Sequence, residues 1–578
     1  MDCPGSHVTK RYRPAPAGSD GFFADHIERL DAARTAEGWW EGHLASGALS
    51  TAIGALTLAS DFDVNPGLDW LAKTQNEDGG WGDTVLSLSN ISTTILCWCA
   101  YSIARAEDRY RPTLAKAEQW LTRAAGGIDE SRLTAAILLR YGTDRTFSVP
   151  ILTVMAIAGK VNWRNVPQLP FELAACPHQV FGALGLPVVS YALPALIAIG
   201  QVRHHHEPSR NPVTRLLRNR LTPRTLGHWG HIQPSSGGYL EATPLTSFVL
   251  MSRASAGRQN PAAVGFLKES MRSDGSWPID TNLATWVTTL AVNALAPLTV
   301  EEHPLDAKAK STIREWLLAQ QYQEEHPYTH AAPGGWAWTP LPGGVPDADD
   351  TPGALLALRH LGPVDERTKQ AATNGVRWLL DLQNRDGGMP TFCRGWGKLP
   401  FDRSGTDLTA HAIAAWQEWL PDLDQKTRVR TENALVAAKR FLTRNQRPNG
   451  SWTPLWFGNE QAERPENPTY GTARVLQANG LDAPAAFEWL RQNQNRDGGW
   501  GGGPGTPSTI EETSLALQAL ASTNDPAIGR GLEWLVAATD EGRKTPPSPI
   551  GLYFASLWYY EELYPLIFAT GAAIRCVI

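Results

Sequence analysis

Hydrophobic residues recur at helical spacing along most of the chain. Segments rich in Ala and Leu, such as 407–419 and 514–521, place apolar residues three and four positions apart, which is the period of an amphipathic helix. The chain shows no sustained alternation of apolar and polar residues, the pattern that is typical of a half-buried strand. The sequence therefore predicts an all-α fold.

A short repeat separates these helical segments. Most copies have an aromatic residue followed by Leu, then a Gln, and then Gly-Gly or Gly-Ser followed by Trp. Because the closing residues at 277, 336, 389, 452 and 500 leave room for two helices and their loops, each repeat predicts a helical hairpin. The copies lie at 70–81, 266–277, 316–336, 378–389, 441–452 and 489–500, with degenerate ones at 120–128 and 534–539.

These hairpins predict two barrel-shaped domains. Five hairpins and the degenerate stretch 534–560 would close into an α/α barrel over residues 236–578, against which residues 1–24 would pack. Residues 25–235 carry a shorter set of repeats and predict a second, smaller α/α barrel. The Ser-Ser-Gly-Gly turn at 235–238 marks the expected boundary between the two.

The composition excludes several classes of protein. The 578 residues carry a formal net charge of −6, which gives no reason to expect a nucleic-acid partner. The six cysteines are dispersed rather than arranged as a disulfide framework, which favours a reducing compartment. No signal peptide is visible, and the longest apolar stretch, 186–200, is shorter than the roughly 20 residues of a membrane span. We therefore expect a cytoplasmic protein that is neither secreted nor membrane-spanning.

One basic segment, 203–224, stands apart from this weakly acidic chain. Apolar residues at helical spacing lie between its arginines, and only Glu207 opposes them. A basic amphipathic helix of this kind fits a peripheral contact with an anionic membrane on its inner face, and a solvated interdomain helix is the alternative. The arginines are Arg203, Arg210, Arg215, Arg218, Arg220 and Arg224, and the apolar residues are Val213, Leu216, Leu217 and Leu221.

Three carboxyl groups crowd the segment 345–353, VPDADDTPG. Asp347, Asp349 and Asp350 lie within four consecutive positions, and like charges this close repel one another. Apolar and aromatic residues flank the cluster, and burial among them would raise the pKa of a carboxyl further. We therefore expect one of these groups to keep its proton near neutral pH and to face a hydrophobic, Trp-lined space. Protonation of an alkene is a reaction that needs such an acid.

Two simpler interpretations of this cluster remain open. Asp favours helix N-caps and Pro352 suits a first helical turn, so the segment could be a solvated cap. A DxDD sequence could also bind Ca²⁺ or Mg²⁺. An EF-hand loop that begins at Asp347 is excluded, because Pro352 and Leu358 stand where that loop requires Gly and Glu.

The repeats and the DADDT segment together resemble the squalene–hopene cyclase family of class II terpene cyclases, in which the repeats are called QW motifs. The similarity includes segments 126–142, 166–196, 407–416 and 445–456. It implies two α/α barrels in a dumbbell arrangement, with an active site in a cavity between them. It also implies that no cofactor or metal is needed.

The same resemblance assigns roles to the acid cluster. It implies that Asp349 protonates a terminal alkene, and that its neighbours Asp347 and Asp350 raise its pKa and hold its geometry. His411, in the segment DLTAH, matches a histidine that hydrogen-bonds this aspartate. Asp407 precedes His411 by one helical turn, so we expect it to orient the imidazole ring.

The resemblance further implies aromatic residues that stabilise carbocations, since a desolvated cation–π contact contributes ~2 kcal/mol or more. Tyr470 matches a tyrosine near the acid that helps to reprotonate it. Ordinary core packing is the alternative for each aromatic residue, and the repeat tryptophans at 81, 277, 452 and 500 are expected to be structural. The candidates for contact with substrate or carbocation are Trp336, Trp338, Phe392, Trp456, Tyr191, Tyr553 and Tyr560.

The sequence also departs from the family pattern around the predicted cavity. Leu245 stands where the family has a pocket tryptophan, and Leu557 replaces a tyrosine. An insertion lies around 460–467, and the loop 393–405 has no close counterpart in the best-known members. These changes leave the acid cluster intact and alter the predicted walls.

Three functions fit these features to different degrees. The first, favoured by similarity over the whole chain, is cyclisation of squalene or a related hydrophobic linear polyprene to a polycyclic triterpene-type product. The second is cyclisation of a prenyl diphosphate, as in copalyl diphosphate synthase, in which Arg394, Lys398 and Arg403 would contact phosphate together with Mg²⁺. The third is a lipid- or peptide-binding toroid similar to protein prenyltransferase β-subunits. That function would require a Zn²⁺ site of Asp, Cys and His, and the sequence shows no such constellation.

Overall fold

The expected all-α fold is confirmed by the structure, a computed structural model. It describes residues 19–176, 193–227, 232–327, 329–392, 394, 400–478, 480–552 and 557–577. These residues form 22 α-helices, a few single 3₁₀ turns and three short strands. The helices divide into two closed rings.

The larger ring is an α/α barrel with six inner and six outer helices. Each inner helix packs against the next, and α22 packs back on α12, so the ring closes. The inner helices are α12 (Ala284–Leu295), α14 (Asp350–His360), α16 (Thr406–Trp419), α18 (Pro468–Gln477), α20 (Ile510–Leu520) and α22 (Leu563–Val577). The outer helices are α1 (Ser19–Ala32), α13 (Ala307–Ala319), α15 (Glu366–Leu382), α17 (Gln425–Asn445), α19 (Pro484–Gln492) and α21 (Ala527–Ala538).

The smaller ring has five inner helices among the described residues. Each of them packs against its neighbours in the ring, and α10 packs back on α2. The inner helices are α2 (Ala48–Leu58), α4 (Ile91–Ile103), α7 (Arg145–Ile157), α8 (Leu193–His206) and α10 (Thr243–Ser255). The outer helices are α3 (Asn65–Lys73), α5 (Arg111–Ala125), α6 (Glu130–Tyr141), α9 (Pro212–Gly227) and α11 (Pro261–Glu269).

Helix packing places the division between the barrels later than the turn at 235–238. Helices α10 and α11 pack within the smaller barrel, so the chain leaves that barrel after Glu269. Helix α1 spans the expected boundary between residues 24 and 25 and packs against α22 of the larger barrel. Burial of apolar helix faces decided both assignments, and this depends on contacts that are distant in sequence.

The Gln of several repeats links the turn of its own repeat to the following outer helix through two hydrogen bonds. Gln383 Nε2 donates to the carbonyl oxygen of Gly387 at 2.9 Å and to that of Ala434, in α17, at 3.0 Å. Gly387 has φ of +92°, and a Cβ there would overlap the carbonyl oxygen of Ala437, so the position requires glycine. Gln75, Gln321 and Gln494 each make the same pair of contacts.

The Trp that closes a repeat is a structural residue, as the sequence predicted. The indole Nε1 of Trp452 donates to the carbonyl oxygen of Leu442, and its backbone N–H donates to Thr472 Oγ1 on the next inner helix. The same two contacts recur at Trp81, Trp277 and Trp500. They recur at Trp40 as well, a degenerate copy that the sequence pattern missed because it lacks the Gln.

A three-stranded antiparallel sheet lies between the barrels, and the sequence pattern did not predict it. It consists of β1 (Phe457–Gly458), β2 (Ile550–Leu552) and β3 (Leu557–Tyr559), in that order. Leu557 packs in the hydrophobic core of the smaller barrel, and the backbone N–H of Trp558 donates to Asp83 Oδ2 of that barrel at 2.9 Å. Strands of two or three residues are too short to show alternation.

None of the helices in the described part of the chain is long and apolar enough to span a bilayer.

Candidate active site

The three clustered aspartates form the turn that leads into the inner helix α14. Asp347 Oδ1 accepts the backbone N–H groups of Asp349 and Asp350, each at 2.8 Å, so Asp347 is the residue that caps the helix. Asp349 is the N-cap position, but its carboxyl makes no capping hydrogen bond. The cap interpretation therefore holds for Asp347 and leaves the carboxyl of Asp349 available for another contact.

That contact is with His411, on the adjacent inner helix α16. His411 Nδ1 lies 2.7 Å from Asp349 Oδ1. The side chains of His411 and Asp349 are 20% and 22% exposed to solvent. The ring of Trp286, on α12, meets the imidazole edge-on with 6.2 Å between centroids. The predicted pairing of Asp349 with His411 is thus the arrangement that the structure contains.

Burial raises the pKa of both neighbours of Asp349. It raises the pKa of Asp347 to about 6, and it raises that of Asp350 well above the ordinary range, with a further increase from the charge of Asp347. Burial thus disfavours the charged form of both flanking carboxyls. The three carboxyls are crowded as expected, but it is the two flanking carboxyls whose pKa burial raises.

Asp407 does not orient His411, contrary to the prediction from their spacing. Its Oδ1 accepts the backbone N–H of Leu455 at 3.1 Å, and its Oδ2 is buried without a hydrogen-bond partner. Burial, together with the charge of Asp349, raises the pKa of Asp407 to about 6. Asp407 and His411 do lie on one helix, as their spacing predicted. Asp407 contacts the loop that contains Leu455 instead of the imidazole ring.

An aromatic cluster adjoins the acid turn. We use this name for Trp338, Phe392, Phe401 and Trp456, whose neighbouring ring centroids lie 5.2 to 6.2 Å apart. Thr391 joins the cluster to the acid, because its carbonyl oxygen accepts the N–H of Ala348 and its Oγ1 accepts the indole N–H of Trp456. Three of the four members were predicted from the sequence, and Phe401 was missed because it lies in a loop without a motif.

Trp336 lies inside the barrel wall rather than in the aromatic cluster. It is fully buried, its Nε1 donates to the carbonyl oxygen of Leu317, and its backbone N–H donates to Thr351 Oγ1. These are the contacts of the other repeat tryptophans. The structure therefore gives Trp336 a packing position and not the cavity position suggested for it.

Tyr470 lies at the first turn of α18 and lines the same cavity as Asp349 and His411. It is buried, and its ring packs against Phe457 with 4.4 Å between centroids. Burial raises the pKa of its hydroxyl strongly, so Tyr470 is a neutral phenol. Its role in reprotonation stays a prediction.

Of the three other tyrosines expected to contact substrate, the structure describes only Tyr560. Tyr191 and Tyr553 lie outside the described residues. The carbonyl oxygen of Tyr560 accepts the N–H of Ala45, and its ring lies within electrostatic reach of Arg272. The preceding Tyr559 is the one within reach of Asp349 and Asp350. Because neighbouring side chains of a strand face opposite sides, a shift of one position separates these two environments.

The cationic residues proposed for phosphate contact are mostly exposed. Arg394 and Arg403 have exposed side chains, and Lys398 lies outside the described residues. Leu245 packs in a small hydrophobic cluster with Trp338 and Phe392, so this departure from the family pattern adjoins the aromatic cluster. Across the described ranges, no group of three or more His, Cys, Asp or Glu side chains is arranged to hold a metal ion.

The double barrel, together with the contact between Asp349 and His411 (the acid pair), is the arrangement of a class II terpene cyclase. Two family models match the chain, the Squalene-hopene cyclase N-terminal domain over residues 25–192 and the C-terminal domain over residues 283–571. The chain belongs to the squalene–hopene cyclase family.

Individual relatives differ in activity. The chain is 25% identical to a probable squalene–hopene cyclase of Sinorhizobium fredii over 97% of both chains. It is 26% identical to enfumafungin synthase of Hormonema carpetanum, over 85% of this chain but only 42% of that protein's length. It is 30% identical to drimenyl diphosphate synthase of Streptantibioticus cattleyicolor over 51% of this chain.

One solved structure resembles the fold over its full length. The ent-copalyl diphosphate synthase of Streptomyces platensis superimposes with a TM-score of 0.59 and covers 97% of this chain and 99% of its own, at 20% sequence identity. The likeness concerns the fold alone.

Proposed function

We propose that this protein converts squalene or a related linear polyprene into a polycyclic triterpene-type product, with Asp349 as the acid that starts the reaction. The observation that carries the proposal is the 2.7 Å contact between His411 Nδ1 and Asp349 Oδ1, made by a carboxyl that does not cap its own helix. Similarity to a probable squalene–hopene cyclase over nearly the whole length supports this substrate class.

The contact between Asp349 and His411 suggests how the first step of the cyclisation proceeds. A hydrogen bond from His411 to Oδ1 leaves Oδ2 of Asp349 to carry the proton. The electron pair of the terminal double bond takes that proton, which forms a C–H bond and leaves a cation on the more substituted carbon. Asp349 becomes a carboxylate, and His411 stabilises it by donating to Oδ1. Asp347, which accepts two backbone N–H groups, fixes the turn that presents the acid.

The aromatic cluster fits the next steps. Each ring presents an electron-rich face, and a desolvated cation–π contact contributes ~2 kcal/mol or more. Trp338, Phe392 and Trp456 could therefore favour one ring closure over competing ones while excluding water. Loss of a proton or capture of water ends the cascade, and Asp349 must then regain a proton beside Tyr470.

A prenyl diphosphate is the competing substrate class. The 30% identity to drimenyl diphosphate synthase over half of this chain favours it. Arg394 and Arg403 are exposed and could contact a diphosphate. The described residues offer no cluster for Mg²⁺, so we derive no step through that ion.

The test is incubation of the purified protein with squalene and with geranylgeranyl diphosphate in parallel, with products identified by mass spectrometry. We expect a cyclic product from squalene. Cyclisation of the diphosphate alone would reject the substrate class and leave the acid assignment standing.

Asp349→Asn tests the acid itself. We expect it to lower turnover by about 10²–10⁴-fold or more, because a positioned general acid is lost, while circular dichroism stays unchanged. Asp365→Asn, at the N-cap of the outer helix α15, is the matched control and should remain active. An active Asp349→Asn variant would refute the acid assignment.

A peripheral membrane contact through α9 is the second part of this proposal, since a hydrophobic substrate resides in a bilayer. Val213, Leu216 and Leu217 are 74%, 58% and 49% exposed on this helix. Arg218 pairs with Glu172, whereas the other arginines near these apolar residues are exposed: Arg210, Arg215, Arg220 and Arg224. Exposed apolar residues next to uncompensated positive charge fit an anionic lipid surface.

Flotation with phosphatidylglycerol vesicles tests this contact. The native protein should float with the vesicles, and the triple variant Val213→Ser, Leu216→Ser, Leu217→Ser should remain in the dense fraction. Val429→Ser with Val436→Ser is the matched control, because both residues are exposed on the outer helix α17 at 44% and 49%. Equal flotation of the native protein and the triple variant would reject a role for α9.

A further inference from the structure

A cavity of about 270 Å³ lies inside the larger barrel, on the interior side of the acid pair. Asp349, His411 and Tyr470 line it near the first turns of the inner helices, and Gln477, Gln518 and Arg575 line it near their last turns. A second opening, bordered by Gln518 and Arg575, continues from that far end. The cavity therefore runs along the barrel axis, from the acid pair to the end where the inner helices finish.

Two arginines lie in this cavity without a carboxylate partner. Arg474 stacks over the rings of Tyr470 and Phe568, with its guanidinium carbon 5.1 and 5.4 Å from their centroids. Arg575 donates to the carbonyl oxygen of Asn293 at 3.4 Å. Within the described part of the chain, neither guanidinium has a carboxylate oxygen within 4.0 Å.

The acidic side chains that line this cavity are Glu418, Asp349 and Asp407, and each already accepts a hydrogen bond or contacts a basic side chain. Glu418 lines the same cavity, but it accepts a hydrogen bond from Arg359 at 3.1 Å, and Arg359 also pairs with Asp422 at 2.9 Å. At the other end of the cavity, Asp349 is engaged by His411. The charges of Arg474 and Arg575 are thus left without compensation from these groups.

Hydrogen-bond donors at this end are also unsatisfied. Arg474 Nη2 and Gln477 Nε2 are both buried and have no hydrogen-bond partner. Arg575 is exposed at the mouth of the cavity. Its partial desolvation and the charge of Arg474 lower its pKa, so the two cations lie close enough to repel. A buried donor without a partner costs about 1–3 kcal/mol, which an anionic acceptor would offset.

We propose that the far end of this cavity binds one small inorganic anion, a halide or an oxyanion such as phosphate, between Arg474 and Arg575. Arg474 Nη2 and Gln477 Nε2 donate to it, and Arg575 closes the side toward solvent. Two guanidinium groups and an amide recognise any compact anion that can accept hydrogen bonds from several directions.

The anion would also affect the acid pair, a consequence that rests on the proposed function whereas the binding does not. Two positive charges in the cavity oppose the entry of a proton that moves from solvent toward Asp349. A bound anion cancels part of that potential. Turnover should therefore rise when gluconate, which is too large for the site, is replaced by bromide at equal ionic strength.

Bromide is the probe that tests binding, because it scatters anomalously. Crystals of the full chain grown in sodium bromide should show an anomalous peak between Arg474 and Arg575, and Arg474→Gln should lose it. In solution, bromide in place of gluconate should raise the unfolding midpoint of the native protein by more than that of Arg474→Gln. Arg440→Gln, on the exposed face of the outer helix α17, is the matched control and should respond like the native protein.

A second variant keeps the test decisive if Arg474→Gln folds poorly. Arg575→Gln lies at the cavity mouth and should likewise weaken the response to bromide. A crystal without a peak at this position, or equal responses of the native protein and both variants, would overturn the proposal. Bromide binding without any cyclisation activity would support the site and reject the proposed function instead.

Discussion

At the scale of single residues, the proposed acid Asp349 differs from its neighbours because another side chain caps the helix. Asp347 accepts the two backbone N–H groups, Asp350 is buried with a raised pKa, and Asp349 faces His411. Three residues of the same type, within one turn, thus have three different environments. We therefore expect substitution by Asn to have a different effect at each of the three positions.

Trp338 tests the aromatic cluster. We expect Trp338→Ala to yield incompletely cyclised or misrouted products, because loss of a contact of ~2 kcal/mol changes the partition between steps by about 30-fold. Mass spectrometry of the products measures this. Trp336→Phe is the matched control: it should lower the unfolding midpoint while keeping the product profile, since Trp336 is fully buried in the barrel wall. An unchanged profile for Trp338→Ala would assign that residue to packing.

At the scale of the element, the repeated unit is a turn bonded to its neighbour. The side-chain amide of the Gln donates to two carbonyl groups, one in its own turn and one on the following outer helix. The Trp fills the space behind the same turn and bonds a Thr of the next inner helix. One motif therefore couples consecutive hairpins around the ring.

Gln383→Ala should destabilise the larger barrel by about 1–3 kcal/mol, because two carbonyl groups lose their donor. Thermal or denaturant unfolding measures the change. Gln370→Ala is the matched control, since Gln370 is exposed on α15 and bonds only the side chain of Asn374. Equal midpoints for the two variants would show that the Gln of the repeat contributes nothing beyond a solvated contact.

At the scale of the whole molecule, buried acidic groups join the two barrels. Asp83 of the smaller barrel accepts the N–H of Trp558 in β3. Glu460, from the loop after β1, interacts with Ser87 and with the backbone of Leu88 on the smaller barrel. Burial and the nearby charge of Asp83 raise the pKa of Glu460 from 4.5 to about 8.

This raised pKa predicts how the stability of the molecule depends on pH. Between about pH 4.5 and pH 8 the folded protein binds a proton at Glu460 that the unfolded chain has lost, so stability falls as pH rises through this window. Glu460→Gln removes that decline and should gain about 1–3 kcal/mol at pH 8 relative to pH 5. Unfolding midpoints at the two pH values measure it.

Glu463→Gln is the control for this prediction, because Glu463 is exposed in the same loop. It should follow the native protein at both pH values. Parallel curves for Glu460→Gln and the native protein would mean that Glu460 does not carry a shifted proton across the junction between the barrels.

The sequence by itself determined the helical class, the repeats, the family resemblance, and the pairing of Asp349 with His411. The helical class and the repeats depend on local periodicity. The pairing followed from the family resemblance instead, because Asp349 and His411 lie on two different inner helices. The misassigned residues share a different cause. Trp336, Asp407 and Tyr560 each carry a suitable side chain at a suitable spacing, and each is directed elsewhere by contacts distant in sequence.

Only the tertiary structure decided the division between the barrels and the content of the larger barrel's cavity. Helix α1 belongs to the ring that is completed by α22, and Arg474 meets Arg575 only once that ring has closed. Ring closure brings together residues that are distant in sequence, and their packing then sets which carboxyl has a raised pKa and which cation lacks a carboxylate partner. No local pattern encodes that outcome, because the free energy of a buried charge depends on every group that surrounds it.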